Sequence, residues 1–579
     1  MEGRRLFLFA SVAMVLVVVT GFVMAQNGVY GVNMWPTTDI SKNMRILGHN
    51  SLQHRPSYMP TVVKQGSRYI LYASEHVGTG TYLNPMNGQM EYNGTSIVDV
   101  TDPFRPVYLK HLPSPWLPPN NEGRHVRVCA GSDLPGNLYP GKFFMIRTDG
   151  QVSHSVWDVT NPANPVFVTY IENGLSYTHK ESWDCTSGYV LLPHNSTTWK
   201  SGNGSGTGTC VTGGCSFAIY DLHDPYHPKY ITDYGLVGQT PTSTVSQVPN
   251  MIHEAVIYTD PVYGTRIYGA YGISVGGDGW LQVADFSKIL SYVAANGPIT
   301  SDAGIQATQI SALKMSYEFG MHTYWPWLHI PMADYSENSN ASLASSQGGV
   351  VGPGIPASLQ NVNPRVQDFG LATTEGTNNG CVGYTAMGFV VDLNYPTHQQ
   401  VVANMHVPKH LENERGVEDR EFGAFGQDRG NQTIDFCNLT NGNGRFGSHG
   451  LSEDLSAYAG QAHNWGNNPF YHRFQAIAWF GGGVHIWDLR DPFDPQDVAY
   501  FIPAASPLYT EQNCANRTWV NGQTVPATQY CTNEIGINNA ATDDRGYVYA
   551  VDRYGTGAWV FTLTGAPAIA LHAGPLATQ

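Results

Sequence analysis

One ten-residue phrase constrains this chain more than anything else in it. It occurs at Ile97–Pro106, Val156–Pro165, Ile219–Pro228 and Ile486–Pro495. Each copy is an apolar run ending in Asp-Val or Asp-Leu, followed by x-[Asp/Asn]-Pro-x-x-Pro. Such a phrase encodes a strand that runs into a tight turn. The Asp or Asn side chain accepts bonds from the turn backbone, and the next Pro presets φ. The last Pro can open the returning strand, where a missing donor is tolerated. Weaker copies stand at Val283–Phe286, Val390–Leu393 and Val560–Leu563. Markers taken at one position of the phrase fall at Asp99, Asp158, Asp221, Asp285, Asp392, Asp488 and Thr562. The first intervals are about 60 residues and the later ones are longer, which insertions into a constant unit explain. Seven such units predict an all-β chain: a single seven-bladed β-propeller of four-stranded antiparallel blades with long loop insertions. A solenoid ranks second, because radial closure also removes exposed sheet edges. The first and last blades should be neighbours. The turns at Pro103, Pro162, Pro225 and Pro492 should join third and fourth strands.

A second element recurs upstream of the markers. Histidine opens it at His54, His125, His179, His253, His322 and His449, and Glu534 stands in the seventh unit. A strand pair usually follows, so each histidine should begin the innermost strand of its blade. Equivalent register would bring the side chains to one mouth of the central channel. Imidazole is a common ligand of copper, zinc and iron, and radial repetition can gather several without a local motif. Two or three neighbouring histidines are the expected site, with Glu534 as a further oxygen ligand or base. The plain alternative is that each imidazole satisfies its own backbone in a wet channel. Glu181, Asp184 and Glu254 are candidates for acid–base work or for orienting an imidazole. Trp183, Trp325 and Trp327 could stack on a sugar, although blade packing is the commoner use of tryptophan.

Composition excludes several classes. Charged residues make up 13% of 579, against about 25% in ordinary soluble proteins. With 63 Gly, 36 Pro and 33 Tyr, this is a chain of strands and turns rather than a helical bundle. The net charge of −15 argues against nucleic acid as a partner. No Gly-rich stretch has the strand-to-helix context of a nucleotide site, and no G-x-S-x-G elbow is present. Arg4 and Arg5 followed by the apolar run Leu6–Val19 and Val23-Met24-Ala25 read as a signal peptide over 1–25, cleaved after Ala25. An uncleaved anchor is the alternative. No later stretch is long and apolar enough to span a membrane, so the mature chain should have no transmembrane span. The eight Cys suit an oxidising compartment. Cys210 with Cys215, and Cys514 with Cys531, are positioned to close loops, while Cys129, Cys185, Cys381 and Cys437 leave their pairing open. The organisation read from this is 1–25 signal peptide, 26–47 N-terminal extension, 48–565 propeller and 566–579 tail. Insertions fall at Ser287–Gly320, with a short helix from Phe286, at Ser336–Gly380 as a surface loop, and at Val407–Ser448.

The repeated apolar-Asp-Val-x-Asp-Pro-x-x-Pro turn resembles that of the LVIVD-repeat family of bacterial and archaeal surface propellers. The histidine that opens each blade, as in Tyr177–Lys180, resembles the choice-of-anchor B branch of that family. The resemblance runs from about Gly48 to Leu563. It implies a propeller and secretion or surface display, with extracellular, cell-surface or periplasmic location, and no settled activity. Unlike that branch, the chain shows no obvious anchor or sorting domain after Leu563. A looser architectural analogy links it to selenium-binding protein and methanethiol oxidase, propellers with histidine-bound copper. The leading functional expectation is a binding, interaction or adhesion propeller with a protein, glycan or small-molecule ligand. The alternative is a metal-dependent oxidoreductase or hydrolase, with copper, zinc or iron at the hub. Catalytic residues are not legible.

Overall fold

The computed structural model describes residues 39–76, 80–117, 122–202, 216–272, 278–316, 319–331, 366–375, 387–407, 447–453, 468–471, 473–503, 517–518, 524–525 and 536–572. They build seven four-stranded antiparallel sheets, the blades of one propeller. Blades 1 to 5 each use four consecutive main strands. In blade 1 these are Ser57–Gln65, Arg68–Glu75, Gly94–Asp99 and Val107–Pro113, and in blade 2 Val126–Ala130, Phe143–Asp149, Ser153–Asp158 and Val166–Asn173. Blade 3 has Ser182–Trp183, Tyr189–His194, Ser216–Asp221 and Lys229–Tyr234. Blade 4 has Ile252–Asp260, Gly264–Tyr271, Trp280–Asp285 and Gln309–Lys314, and blade 5 Met321–Pro331, Val366–Thr374, Gly388–Asp392 and Gln400–Met405. First strands touch from blade 1 through blade 5, Thr373 of blade 5 donates to the His449 carbonyl at the entry to blade 6, and the Ile537–Thr542 strand of blade 7 packs on Phe474–Ala478 of blade 6 and on the first strand of blade 1, so the ring closes.

Closure uses the N-terminal segment twice. Met44–Asn50 pairs with Ala558–Leu563 and becomes the outer strand of blade 7. Ile40–Lys42 pairs with Gln496–Ile502 and caps the outer edge of blade 6. Between them Asn43 turns the chain at φ 50, a conformation that Asn tolerates better than most residues. Its amide donates to the Val498 carbonyl at 2.9 Å. The expected 26–47 extension is corrected here: residues 40–47 belong to the blades, and the repeat did not reveal them because they lack its phrase. Blade 6 has a further peculiarity. Phe474–Ala478 is its innermost full strand, and Leu451 bridges to Ile477 from inside it.

The repeated phrase performs the same local task in each blade. The turn side chains of Asp102, Asn161, Asp224 and Asp491 accept from the backbone N–H two residues on, at 3.0, 3.2, 3.0 and 3.0 Å. The turns at Asp102, Asn161 and Asp224 join third to fourth strands, as expected, whereas the Asp491 turn joins Val484–Asp488 to Gln496–Ile502, the second and third strands of the blade 6 sheet. The marker aspartates work one step earlier. Asp99 and Asp158 accept from the N–H of Thr101 and Thr160 and also bind Arg68 and Lys142 of the second strand. Thr101 and Thr160 in turn accept from the N–H of Tyr69 and Phe143. A bulge interrupts the register where the strand that carries the marker position pairs with the strand beyond it, in every blade. A bulge strengthens local twist, and here it recurs with the repeat.

The insertions divide. Phe286–Asn296 is a helix capped by Asp285, followed by a second helix at Asp302–Thr308, and both pack on blades 3 and 4. The expected surface loop Ser336–Gly380 is corrected in part: Val366–Thr374 is the second strand of blade 5, whose apolar alternation was hidden by the Ser/Asn/Gly-rich stretch before it. Most of Val407–Ser448 lies outside the described residues, as do Cys210, Cys215, Cys381, Cys437, Cys514 and Cys531. Cys129 and Cys185 form a disulfide that joins the first strand of blade 2 to blade 3.

Two outcomes follow from these contacts. Asp491→Ala should cost about 1 kcal/mol, read as a lower urea midpoint, because it removes one turn bond. The Cys129→Ser/Cys185→Ser pair opens a crosslink with a sequence separation of 56. It should lower stability by about 3–4 kcal/mol in the same assay.

Candidate metal centre

The innermost strands run side by side, so residues at equal register meet at one height on the hub. Four histidines do so. Ring centroids of His179 and His253 lie 4.5 Å apart, His253 and His322 4.1 Å, and His322 and His449 4.1 Å. Tyr58 of blade 1 closes the circle, edge-on to His179 at 5.9 Å and to His449 at 5.8 Å. All five side chains are buried. Blade 1 therefore contributes tyrosine and not His54. That histidine sits on an exposed turn at φ 59, before the strand begins, and takes no part in the hub. Glu534 lies outside the described residues.

His125 is one layer deeper. In blade 2 the ring height is taken by Arg124, whose Nη1 donates to His179 Nδ1 at 2.9 Å. His125 instead lies 3.6 Å from Glu453 and 3.8 Å from Glu181. A shift of one residue in register explains the difference, because each residue advances a strand by about 3.3 Å. The deeper layer is ionic. Lys180 Nζ bonds Glu254 at 3.0 Å and Glu453 at 2.8 Å, and Arg127 bonds Glu453 at 2.6 Å. His125, Glu254 and Glu453 are close enough to hold a cation in principle. Lys180 and Arg127 already occupy those carboxylates, so the layer is a buried ion network.

The ring layer is different, because its tautomers are fixed. His253 Nδ1 faces the His322 carbonyl at 2.9 Å, and His449 Nδ1 faces the Asn538 carbonyl at 2.6 Å. A carbonyl only accepts, so both Nδ1 atoms carry the proton. His322 Nδ1 lies 2.7 Å from Thr323 Oγ1, whose own proton goes to Glu254. It too must donate. Burial holds all three imidazoles neutral, and for His253 the pKa is pushed down to about 3. Each Nε2 is then a lone pair. Among the described residues, those of His322 and His449 have no hydrogen-bond partner although they are buried. Glu375 lies 3.8 Å from His253 Nε2 and 3.7 Å from His449 Nε2. Ligand atoms of His253, His322 and Glu375 all lie within 4.8 Å of one another. Imidazole nitrogens with one carboxylate suit zinc, copper or iron, and an Nδ1–H held by an outer acceptor is the usual support of an Nε2 ligand. Gly450 makes the arrangement fit, since a Cβ there would meet the Asn539 amide at 2.0 Å, beside His449.

His179 has the opposite tautomer. Arginine cannot accept, so His179 Nδ1 is the acceptor and Nε2 carries the proton, 2.9 Å from His253 Nε2. Among other candidates, Glu181 accepts from His154, Asp184 caps its own turn, and Trp183, Trp325 and Trp327 are buried in blade packing. Sequence reasoning missed Tyr58, Arg124, Glu375 and Glu453. Tyr58 was within reach, since it ends the phrase that begins at His54. Glu375 follows a second strand and has no repeated counterpart.

No protein-family model matches the chain, and no curated protein matches it. Among solved structures it is similar to Saccharomyces cerevisiae Sqt1, at 7% identity and a TM-score of 0.37, over 88% of this chain and 96% of that one. It is likewise similar to the Cps50 (Swd1) β-propeller domain of Myceliophteria thermophila, at 7% identity and a TM-score of 0.41, over 90% and 99%. The fold assignment rests on the strand pairing itself, a closed propeller consistent with a binding scaffold. Among the described residues no helix is long and apolar enough to cross a membrane.

Burial also pushes His125 down to about 3. An unfolded histidine titrates near 6.5, so the unfolded chain takes up protons first as pH falls. The stability tied to neutral His125 and His253 is complete above about 6.5 and is lost toward 3. The urea midpoint should fall across that window, and His125→Gln should make the fall shallower.

Proposed function

We propose that this chain is an exported LVIVD-type propeller with a metal-dependent catalytic centre at its hub, an oxidoreductase or hydrolase using copper, zinc or iron. His253, His322 and His449 are the nitrogen ligands and Glu375 the oxygen ligand. One observation carries this reading: three neighbouring buried imidazoles spend Nδ1–H on outer acceptors, and the Nε2 lone pairs of His322 and His449 are left without a partner among the described residues. Leaving buried lone pairs unmatched costs free energy that a bound cation recovers. Export is supported by the basic and apolar N-terminal run and by the Cys129–Cys185 disulfide. The binding or adhesion reading draws on fold and export alone and leaves the hub tautomers without a use.

Metal analysis of protein purified without a histidine tag tests the proposal. About one equivalent of copper, zinc or iron should copurify or be taken up at neutral pH. His253→Ala, His322→Ala and His449→Ala should each lower metal affinity at least tenfold, as loss of a ligand or even of its support does. His54→Ala and His125→Ala should leave it within about threefold. Folded wild-type protein that takes up no metal, or equal effects at all five positions, would overturn the reading. The identity of the metal then separates redox chemistry from hydrolysis.

A further inference from the structure

The ring holds two side chains that are not lone-pair donors, and they stand next to each other. Tyr58 Oη lies 3.3 Å from His179 Nε2. Arg124 forces the His179 proton onto Nε2, where it faces the His253 Nε2 lone pair at 2.9 Å, so His179 Nε2 cannot accept from Tyr58 and the phenol O–H proton is left over. Among the described residues that proton has no acceptor, although Tyr58 is only 2% exposed. An unsatisfied buried hydroxyl donor is uncommon and calls for an explanation.

The pair is held from behind. Glu122 accepts from Arg124 Nε at 3.1 Å and lies 2.8 Å from its Nη2, fixing the guanidinium that fixes His179. His76 stacks on the other face of Tyr58, with ring centroids 5.6 Å apart, and accepts a bond from Arg553 at 2.8 Å. Asn538 donates to the Tyr58 carbonyl at 2.9 Å and accepts from Arg553 at 3.1 Å. Lys180, Arg124 and Arg553 are the cations whose fields reach the phenol, against Glu375 as the anion. The Arg124 guanidinium stands directly behind the donor pair, 2.9 Å from His179 Nδ1, and suits an acceptor that carries negative charge.

We propose that Tyr58 and His179 are the ligand-facing donors of the hub: they hydrogen-bond a small anion seated on the metal, which makes the substrate class a small anionic molecule. This rests on the metal reading above. Tyr58 donates its free O–H proton to the anion, and His179 turns its Nε2–H from His253 toward the same atom once His253 Nε2 binds metal. Tyr58 and His179 are positioning residues for that anion, and the metal carries the bond to it.

The test uses the full-length protein loaded with one equivalent of Cu(II), with azide as the anionic probe and its charge-transfer absorption as the readout. Tyr58→Phe and His179→Gln should each weaken azide binding about tenfold or more, the loss of one hydrogen bond to a charged partner. Metal content should match wild type in Tyr58→Phe, and binding of neutral imidazole should change less than about threefold. Either variant alone suffices if the other folds poorly. Unchanged azide affinity with full metal loading would overturn this inference and leave the metal centre standing. Absence of metal from wild-type protein would instead overturn the centre, and the donor pair with it.

Discussion

The Lys180 ammonium is the interaction on which the hub depends. It is fully buried, and its two carboxylate partners come from blade 4 and from the segment entering blade 6. Three parts of the ring therefore meet at one nitrogen. Removing one partner of a buried ion pair costs about 3–5 kcal/mol, because the other charge is left without compensation. Arg127 from blade 2 joins through Glu453. This network sets the height of each innermost strand against its neighbours. Since His179 precedes Lys180 and His253 precedes Glu254, fixing the ionic layer also fixes the imidazole layer one residue away. A propeller core of apolar blades could slide by fractions of a residue at little cost. A buried carboxylate and ammonium at 2.8 Å could not.

Repetition explains the outside of the molecule and divergence explains the inside. The Asp-Pro turns and the bulge beside them recur because every blade needs the same twist and the same return. The innermost residues have no such common duty. Blade 1 presents Tyr58, blade 2 Arg124, blade 7 Asn538 and Asn539, and the remaining blades histidine. An equal ring of histidines would give a set of identical sites. The unequal ring has a lone-pair side and a donor side.

How much of this the sequence disclosed follows the same division. The blade count, the turn bonds of Asp102 and Asp491, and the helix after Asp285 all follow from local chemistry, which a sequence displays. Four of the six histidines meet as their common phrase implied. His54 fails because it lies two residues short of the strand, and Tyr58 stands at the ring height in its place. His125 fails by one residue of register, which no local pattern reveals, because its surroundings, Glu181 and Glu453, come from distant parts of the chain. The strands at Ile40–Lys42 and Met44–Asn50 were silent because outer strands are short and carry no turn phrase of their own.

Those two short strands give the molecule a direction in time. A ribosome releases residues 40–50 first, yet their hydrogen-bonding partners at Gln496–Ile502 and Ala558–Leu563 come last. Until then the outer edge of two blades does not exist, and the earliest piece of the chain has nothing to pair with. Blades 1 to 5 can form in order as they emerge, each from its own contiguous stretch. The circle cannot lock, and the hub side chains contributed by blades 6 and 7 cannot meet the others, until the chain has been made through Leu563.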